Sequence, residues 1–174
     1  MRRCNRRSVV GVLALLSAGT GALAQERPRY EKPPQAVLDV LNAPPTPVVS
    51  FSPTRRQMLL LEWSRYPSIA EVAQPVLGLA GERINPRTNG PQLLQPYTGI
   101  RLRAIVGGKE RRIDVPGEAR LSAPRWSPDG TRFAFSNTTA TGIQVWVSEA
   151  ASGETRRLPG VQLNAAYGTE LQWM

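Results

Sequence analysis

The chain has 174 residues, of which 41% are hydrophobic, so it is long and apolar enough for one ordinary domain with a core. It contains no histidine, which removes the usual general base, the imidazole metal ligand and any Ser-His-Asp triad. Cys4 is its one cysteine, which excludes a disulfide framework and a cysteine-based zinc site. We therefore expect neither a metal nor a cofactor.

The first 24 residues have the pattern of an export signal. Four arginines within the first seven residues precede an apolar run, Val9 to Leu16, which is shorter than the about 20 residues that span a bilayer. Ala22-Leu23-Ala24 fits the small-residue cleavage rule and predicts cleavage between Ala24 and Gln25. The alternative is an uncleaved anchor. The pattern predicts a periplasmic or secreted protein without stable membrane insertion after cleavage, exported by the Sec or the twin-arginine route.

The basic charge of the chain does not indicate a nucleic-acid partner. The net charge of +9 falls to +5 when the signal is removed, because that segment carries four arginines and no acid. The remaining arginines are scattered along the chain, whereas a nucleic-acid surface needs a clustered basic stripe with aromatic residues. We expect solvated faces and no nucleic-acid binding.

Residues 25–47 form a Pro-rich segment with room for one short helix. In the stretch PPQAVLDVLNAPP, Pro34 suits a first helical turn, and Val37, Leu38 and Leu41 share one face. Pro44 and Pro45 end the helix.

Strand patterns begin at Val48. In TGIQVWVSEA, apolar residues at 143, 145 and 147 alternate with Gln144, Trp146 and Ser148, which is the period-2 pattern of a strand. The stretch Arg125 to Leu158 predicts a four-stranded antiparallel meander. Earlier, VVSFSPTRRQMLLLEW has the plan of RWSPDGTRFAFS, with two apolar runs around a Ser-Pro turn.

The meander recurs along the chain. Equivalent residues are 43 apart at Thr98 and Thr141, 45 apart at Arg111 and Arg156, and 47 apart at Trp126 and Trp173. Four strands with a period of about 40 to 50 residues are typical of a β-propeller blade. The predicted fold is all-β: a partial β-propeller of about two to three four-stranded antiparallel blades, with a short helix in the N-terminal segment and one in an insertion.

The division that follows gives an incomplete propeller over residues 48–174. Blade 1 covers about 48–118 and is interrupted by an insertion at 64–96, blade 2 covers about 122–160, and blade 3 begins at about 165–174. In the insertion, Ser68 and Glu71 form a capping box for a brief helix, followed by a basic loop, GERINPRTNG.

The motif Trp-Ser-Pro-Asp-Gly at 126–130 is interpreted as a strand connector and not as a catalytic loop. Pro128 and Gly130 are residues that such a turn requires, and Trp126 is an apolar side chain for packing between sheets. The other tryptophans, at 63, 146 and 173, are likewise expected to pack and not to form a sugar platform. Asp114, Glu118 and Asp129 are expected at the surface.

Two stretches, Tyr30 to Pro53 and Leu79 to Ile100, resemble the start of glutamyl endopeptidase-like serine peptidases, a branch of the prolyl oligopeptidase family. The resemblance implies a larger protein, in which a multi-bladed propeller is followed by an α/β-hydrolase domain that supplies Ser, Asp and His. The G-x-S-x-G elbow of that domain does not occur in this chain, so no catalytic residue can be assigned. The chain is expected to be an N-terminal fragment, from a truncated gene, a split reading frame or a partial record.

The resemblance also implies that the propeller filters peptide substrates for a hydrolase domain that is missing from this chain. Cleavage after glutamate needs cations that hold the carboxylate, and Arg83 or Arg87 in the insertion could contribute; the alternative is a solvated basic loop. Two other functions stay open. One is a stand-alone TolB-like periplasmic propeller that binds proteins, and the other is an inactive product of a truncated gene.

Overall fold

The computed structural model describes residues 31–93, 95–168 and 171–174, and in these residues the chain is all-β with two short helices, as predicted. The signal sequence and its cleavage site at Ala24 and Gln25 lie outside the described residues. The elements in chain order are α1 Gln35–Leu41, β1 Val48–Phe51, β2 Gln57–Trp63, α2 Ile69–Val72, β3 Leu77–Leu79, β4 Glu82–Asn85, β5 Gly90–Pro91, β6 Tyr97–Ala104, β7 Glu110–Arg112, β8 Arg125–Trp126, β9 Arg132–Thr138, β10 Ile143–Glu149 and β11 Thr155–Leu163.

Two open four-stranded sheets form the frame of the structure. Sheet 1 has the strand order β1-β2-β6-β7, and sheet 2 has the order β8-β9-β10-β11, which is a meander in sequence order. All pairings in both sheets are antiparallel. Leu121 lies between the sheets and forms isolated bridges to Tyr97 and to Asn137. If the insertion between β2 and β6 is left out, the four strands of sheet 1 follow one another in the same order and direction as those of sheet 2.

The core lies between the two sheets. Side chains alternate across each strand, so β2 and β6 direct Leu59, Leu61 and Ile100 towards sheet 2, while β9 directs Phe133 and Phe135 towards sheet 1. These five side chains are at most 2% exposed. Trp126 and Trp146 pack against the same cluster. Each buried side chain of this size contributes about 1.5–3 kcal/mol to folding, so this interface holds the sheets together.

The first two strands of each sheet are joined by the same turn. In sheet 2, Ser127 O accepts from Gly130 N at 2.9 Å, and Ser127 Oγ accepts from Arg132 N at 2.9 Å. In sheet 1, Ser52 O accepts from Arg55 N at 2.9 Å, and Ser52 Oγ accepts from Gln57 N at 3.2 Å. The interpretation of the Trp-Ser-Pro-Asp-Gly stretch as a strand connector therefore agrees with the structure.

The insertion contains α2 and a small three-stranded sheet of order β3-β4-β5. The predicted capping box is present: Ser68 Oγ accepts from Glu71 N, and Glu71 Oε2 accepts from Ser68 N at 2.8 Å. The interpretation of GERINPRTNG as a loop was wrong. Residues 82–85 form a strand because Ile84 is buried and pairs with Leu77 and Pro91, and turns are confined to Gly81 and residues 86–89.

Helix α1 and residues 171–174 lie outside the sheets and differ in their contacts with the rest of the chain. Helix α1 has no buried residue, and Val40 is 71% exposed. Residues 171–174, where the sequence predicts the start of a third inner strand, are not in a strand, but Trp173 Nε1 donates to Arg125 O beside β8 at 3.0 Å. No helix in the described part of the chain is long and apolar enough to cross a membrane.

Candidate functional site

A pocket of 460 Å³ with a mixed polar and apolar lining lies where the insertion meets one end of sheet 2. Its walls come from α2, the turn after β4, the connector that follows β7, and the end of β9 with the loop after it. The polar residues that line it include Arg87, Thr88, Glu118, Arg120, Asn137 and Thr139. The pocket therefore depends on contacts between segments that are far apart in sequence.

Asn85 fixes the turn that carries Arg87 to the rim of this pocket. Asn85 is buried, and its Oδ1 accepts from Arg87 N at 3.0 Å, as in an Asx turn. Its backbone carbonyl accepts from Asn89 N at 3.0 Å, and its Nδ2 donates to Gln74 Oε1 at 2.6 Å. Asn89 has a φ of 52°, a left-handed conformation that asparagine tolerates better than most residues. The side chain of Arg87 is exposed at the end of this rigid turn.

Arg120 ties the opposite wall of the pocket to the insertion. Its Nη1 forms an ion pair with Glu71 Oε1, and its Nη2 donates to the carbonyl of Leu93 at 3.1 Å. Both partners of the ion pair are largely buried, with 20% of each side chain exposed. Glu71 serves both the cap of α2 and this ion pair, so the helix and the connector are held in one arrangement. The charge of Arg120 is thereby neutralised.

The structure separates the two predicted site arginines. Arg87 lines the pocket and has no hydrogen-bond or ion-pair partner for its guanidinium among the described residues. Arg83 is exposed in the middle of β4, opposite Gly78, and does not line this pocket. Only Arg87 is placed to bind a group that enters the pocket.

The pocket is suited to binding a polar group, because one guanidinium and one carboxylate, those of Arg87 and Glu118, both line it, and an anionic group would bind on the Arg87 side. A free guanidinium can hold a carboxylate through two parallel hydrogen bonds, and the amide and hydroxyl groups of the walls can accept or donate further bonds. The sequence has no histidine that could act as a base here. Among residues 31–93, 95–168 and 171–174, no three acids or cysteines are grouped so that they could hold a metal ion.

Sequence reasoning missed three residues that shape this pocket, namely Glu71, Arg120 and Asn137. Glu71 was assigned only to the helix cap, and Arg120 lies in a connector with no regular pattern. Asn137 sits in a strand where an apolar residue would fit the pattern, and it is only 2% exposed. A buried asparagine at a core position is a polar exception to strand patterning, and that exception is the signal that could have indicated it.

The chain is all-β and carries a pocket beside repeated four-stranded sheets. No protein-family model matches the chain. A rice protein (Oryza sativa subsp. japonica) named "Probable glutamyl endopeptidase, chloroplastic" is 33% identical over 152 residues, which are 79% of this chain and 16% of that protein. The protein of the same name from Arabidopsis thaliana is 32% identical over 165 residues, covering 87% of this chain and 16% of that protein.

The chain is therefore a relative of the glutamyl endopeptidases, as its sequence motifs predict. It spans 16% of the length of each of these two relatives, so it corresponds to a small part of such a protein.

Proposed function

We propose that these residues are a non-catalytic propeller part of a glutamyl endopeptidase-like serine peptidase, in which they form a scaffold that gates access of peptide substrates. Peptide-bond cleavage would then be performed by residues outside the chain, because a serine triad needs a base that a chain without histidine does not supply. The names of the two relatives support the peptidase context. The exported location predicted from residues 1–24 is part of this proposal.

The propeller part of the proposal depends on how the two sheets are related. Phe133 and Phe135 of sheet 2 face sheet 1, and a shift of 75 residues places Met58 and Leu60 at the same positions of sheet 1. These two side chains lie on the face of sheet 1 that points away from sheet 2. Successive sheets that pack front to back in this way, and not face to face, are what a ring of blades requires. This front-to-back relation is the observation that carries the proposal.

Arg87 is the residue that we propose for gating. Its guanidinium lies at the rim of a 460 Å³ pocket, is exposed, and can bind the carboxylate of an acidic substrate side chain. Arg83, with the same charge and the same insertion, points elsewhere and provides a matched control.

The test uses the rice relative with its matched segment replaced by residues 31–174 of this chain. We expect the chimaera to cleave peptides after glutamate. Arg87→Ala should lower the ratio of kcat/KM for Glu over Gln substrates by about tenfold, the loss expected for one hydrogen bond to a charged group. Arg83→Ala should leave the ratio unchanged.

Two results would count against this function. If the ratio of kcat/KM for Glu over Gln substrates is the same in the Arg87→Ala chimaera and the parent chimaera, Arg87 does not select the substrate. Hydrolysis by the 174-residue chain alone, blocked by a serine-directed inhibitor, would remove the scaffold role itself.

A further inference from the structure

A second groove runs along sheet 2 and adjoins the Arg87 pocket, with which it shares Pro116, Asn137 and Thr139. It has a volume of 550 Å³, and its floor is one face of β9, β10 and β11. The strand register places Asn137 opposite Gln144, and Trp146 opposite Arg157, on this face. The connector after β7 forms the other wall with Asp114, Val115 and Pro116. The groove thus combines an indole ring, two amides and one charge of each sign.

The corresponding place on sheet 1 is built differently. The register of β6 and β7 puts Arg101 opposite Arg112, the positions that Trp146 and Arg157 occupy 45 residues later. In sheet 1 these cations are neutralised: Arg101 Nε lies 2.9 Å from Glu62 Oε1, and Arg112 Nη2 lies 3.5 Å from Glu62 Oε2. In sheet 2 no described carboxylate lies within 4.0 Å of the Arg157 guanidinium. The repeated scaffold therefore does not require an unpaired arginine beside a tryptophan at this position.

Asn137 supplies a second group that a ligand in this groove can contact. It is 98% buried, because its exposed fraction is 2%, and it lines the groove. Its Oδ1 accepts from Arg120 N at 2.9 Å, which fixes the orientation of the amide. No hydrogen bond joins its Nδ2 to a described residue, and this atom is not among the fully buried unpaired ones, so the donor remains accessible at the groove.

Trp146 supplies a further hydrogen-bond donor at the groove. Its ring is part of the groove wall, and its Nε1 is buried without an acceptor among the described residues. Tryptophan presents a large apolar surface together with one donor, a combination that is common where proteins bind peptides. An acceptor that enters beside the ring can satisfy this donor.

We propose that this groove is a binding site for an extended peptide segment that carries a carboxylate. The carboxylate pairs with Arg157, an apolar side chain of the peptide lies on Trp146, and a main-chain carbonyl accepts from Asn137 Nδ2. Asp114 gives the groove little net charge, so short-range contacts and not long-range attraction select the ligand. The site goes beyond the proposed function, because the chain can bind a peptide here whether or not it gates a peptidase.

The experiment measures fluorescence anisotropy of a fluorescein-labelled peptide, Gly-Gly-Ala-Phe-Ala-Glu, with the full 174-residue chain. Three further peptides carry glutamine in place of glutamate, a C-terminal amide, or both changes, and they distinguish a side-chain carboxylate from a terminal one. Arg157→Gln should weaken binding of the parent peptide by about tenfold, the effect expected from loss of one charge-assisted pair. Arg156→Gln is the matched control, since Arg156 is the exposed neighbour on the opposite face of β11.

The peptide with both changes has no carboxylate and should bind the parent chain about as weakly as the parent peptide binds Arg157→Gln. The Arg157→Gln variant should bind all four peptides equally. Absence of binding at millimolar peptide, or equal losses for Arg156→Gln and Arg157→Gln, would overturn the proposal. Circular dichroism verifies that each variant keeps its strand content. If the chain precipitates, the same comparison is made with the rice chimaera. There the Glu preference of cleavage, measured for Arg87→Ala, tests the proposed function, and the peptide affinity, measured for Arg157→Gln, tests this groove.

Discussion

The two turns that open the two sheets have the same hydrogen bonds but different residues. Ser52 and Ser127 each bind the backbone nitrogen five residues later through the side-chain oxygen. The third residue after the serine is left-handed in both, with φ of 53° at Arg55 and 70° at Gly130. Ser-Pro is common to both turns, whereas Asp-Gly occurs only in the second. The comparison shows that Ser-Pro and the flanking strands determine this turn, and that Asp-Gly only makes it more favourable.

The same shift of 75 residues also relates side chains whose surroundings differ. Trp126 packs against the core and lies 5.2 Å from Phe133, measured between ring centroids. Phe51, the equivalent of Trp126, is 60% exposed next to Met58. Sheet 2 therefore uses for packing a set of positions that sheet 1 leaves uncovered among the described residues. Substitutions at the equivalent positions of the two sheets therefore should have unequal effects.

The largest loss of stability is expected from substitution of Phe133, which lies in the core. Phe133→Ala removes a side chain that is fully buried between Trp126 and Phe135, and should lower the free energy of unfolding by about 3–5 kcal/mol. Met58→Ala, at the equivalent but partly exposed position, should cost only about 1 kcal/mol. Urea unfolding followed by circular dichroism measures both. Similar losses for the two variants would contradict the assigned packing of the sheets.

Gly130→Ala tests the second turn. A Cβ at this position would lie 3.2 Å from Thr54 in the first turn, and the φ of 70° disfavours any side chain. We expect a loss of about 1–2 kcal/mol, the cost of a left-handed residue other than glycine. Gly117→Ala serves as the control, since a Cβ there meets no atom within 4 Å. A loss no larger than that of the control would show that the turn is not as tight as described.

Arg55→Gly tests the first turn in the opposite direction. Glycine should relieve the left-handed strain at φ 53°, but it also makes the unfolded chain more flexible. The expected net result is a gain of about 0.5–1 kcal/mol, measured by the shift of the urea midpoint. Arg56→Gly, next to it, has no such strain to relieve and should destabilise. A loss at both positions would mean that Arg55 makes a contact worth more than its backbone strain.

The smallest effect concerns pH. Hydrogen bonds from the Ser127 hydroxyl and from the backbone and hydroxyl of Thr131 lower the pKa of Asp129 from 3.8 to about 2. Because the pKa is lower in the folded state, this stabilisation is complete above about pH 4 and is lost as pH falls through about 2. Asp129→Asn should flatten the pH dependence of stability in that window. The control variant Met58→Ala should keep the shape of the parent chain's pH profile. An unchanged profile in Asp129→Asn would refute the assignment.

The sequence predicted the sheets better than it predicted the insertion and the pocket. Alternation in TGIQVWVSEA and the repeated Ser-Pro turn are local signals, and they lead directly to β10 and to the two equivalent turns. Strands β3 and β4 were missed because runs of three and four residues are too short to show a period. Their pairing depends on burial of Ile84, which is a tertiary effect.

For the pocket, composition and spacing indicated Arg87 but gave no reason to separate it from Arg83. The difference comes from the Asx turn at Asn85 and from the ion pair between Glu71 and Arg120, residues 49 apart in sequence. Contacts at such separations cannot be derived from local pattern. The contact between Asn137 Oδ1 and the backbone nitrogen of Arg120, which orients the amide, likewise depends on the tertiary structure.

The most direct test of the scaffold role is labelling of the purified 174-residue chain by a fluorescent fluorophosphonate, which reacts with activated serines. The account predicts no labelling above that of heat-denatured chain, because no histidine is present to activate a serine. Stoichiometric labelling of the folded chain, lost on denaturation, would contradict the claim that these residues do not perform the cleavage.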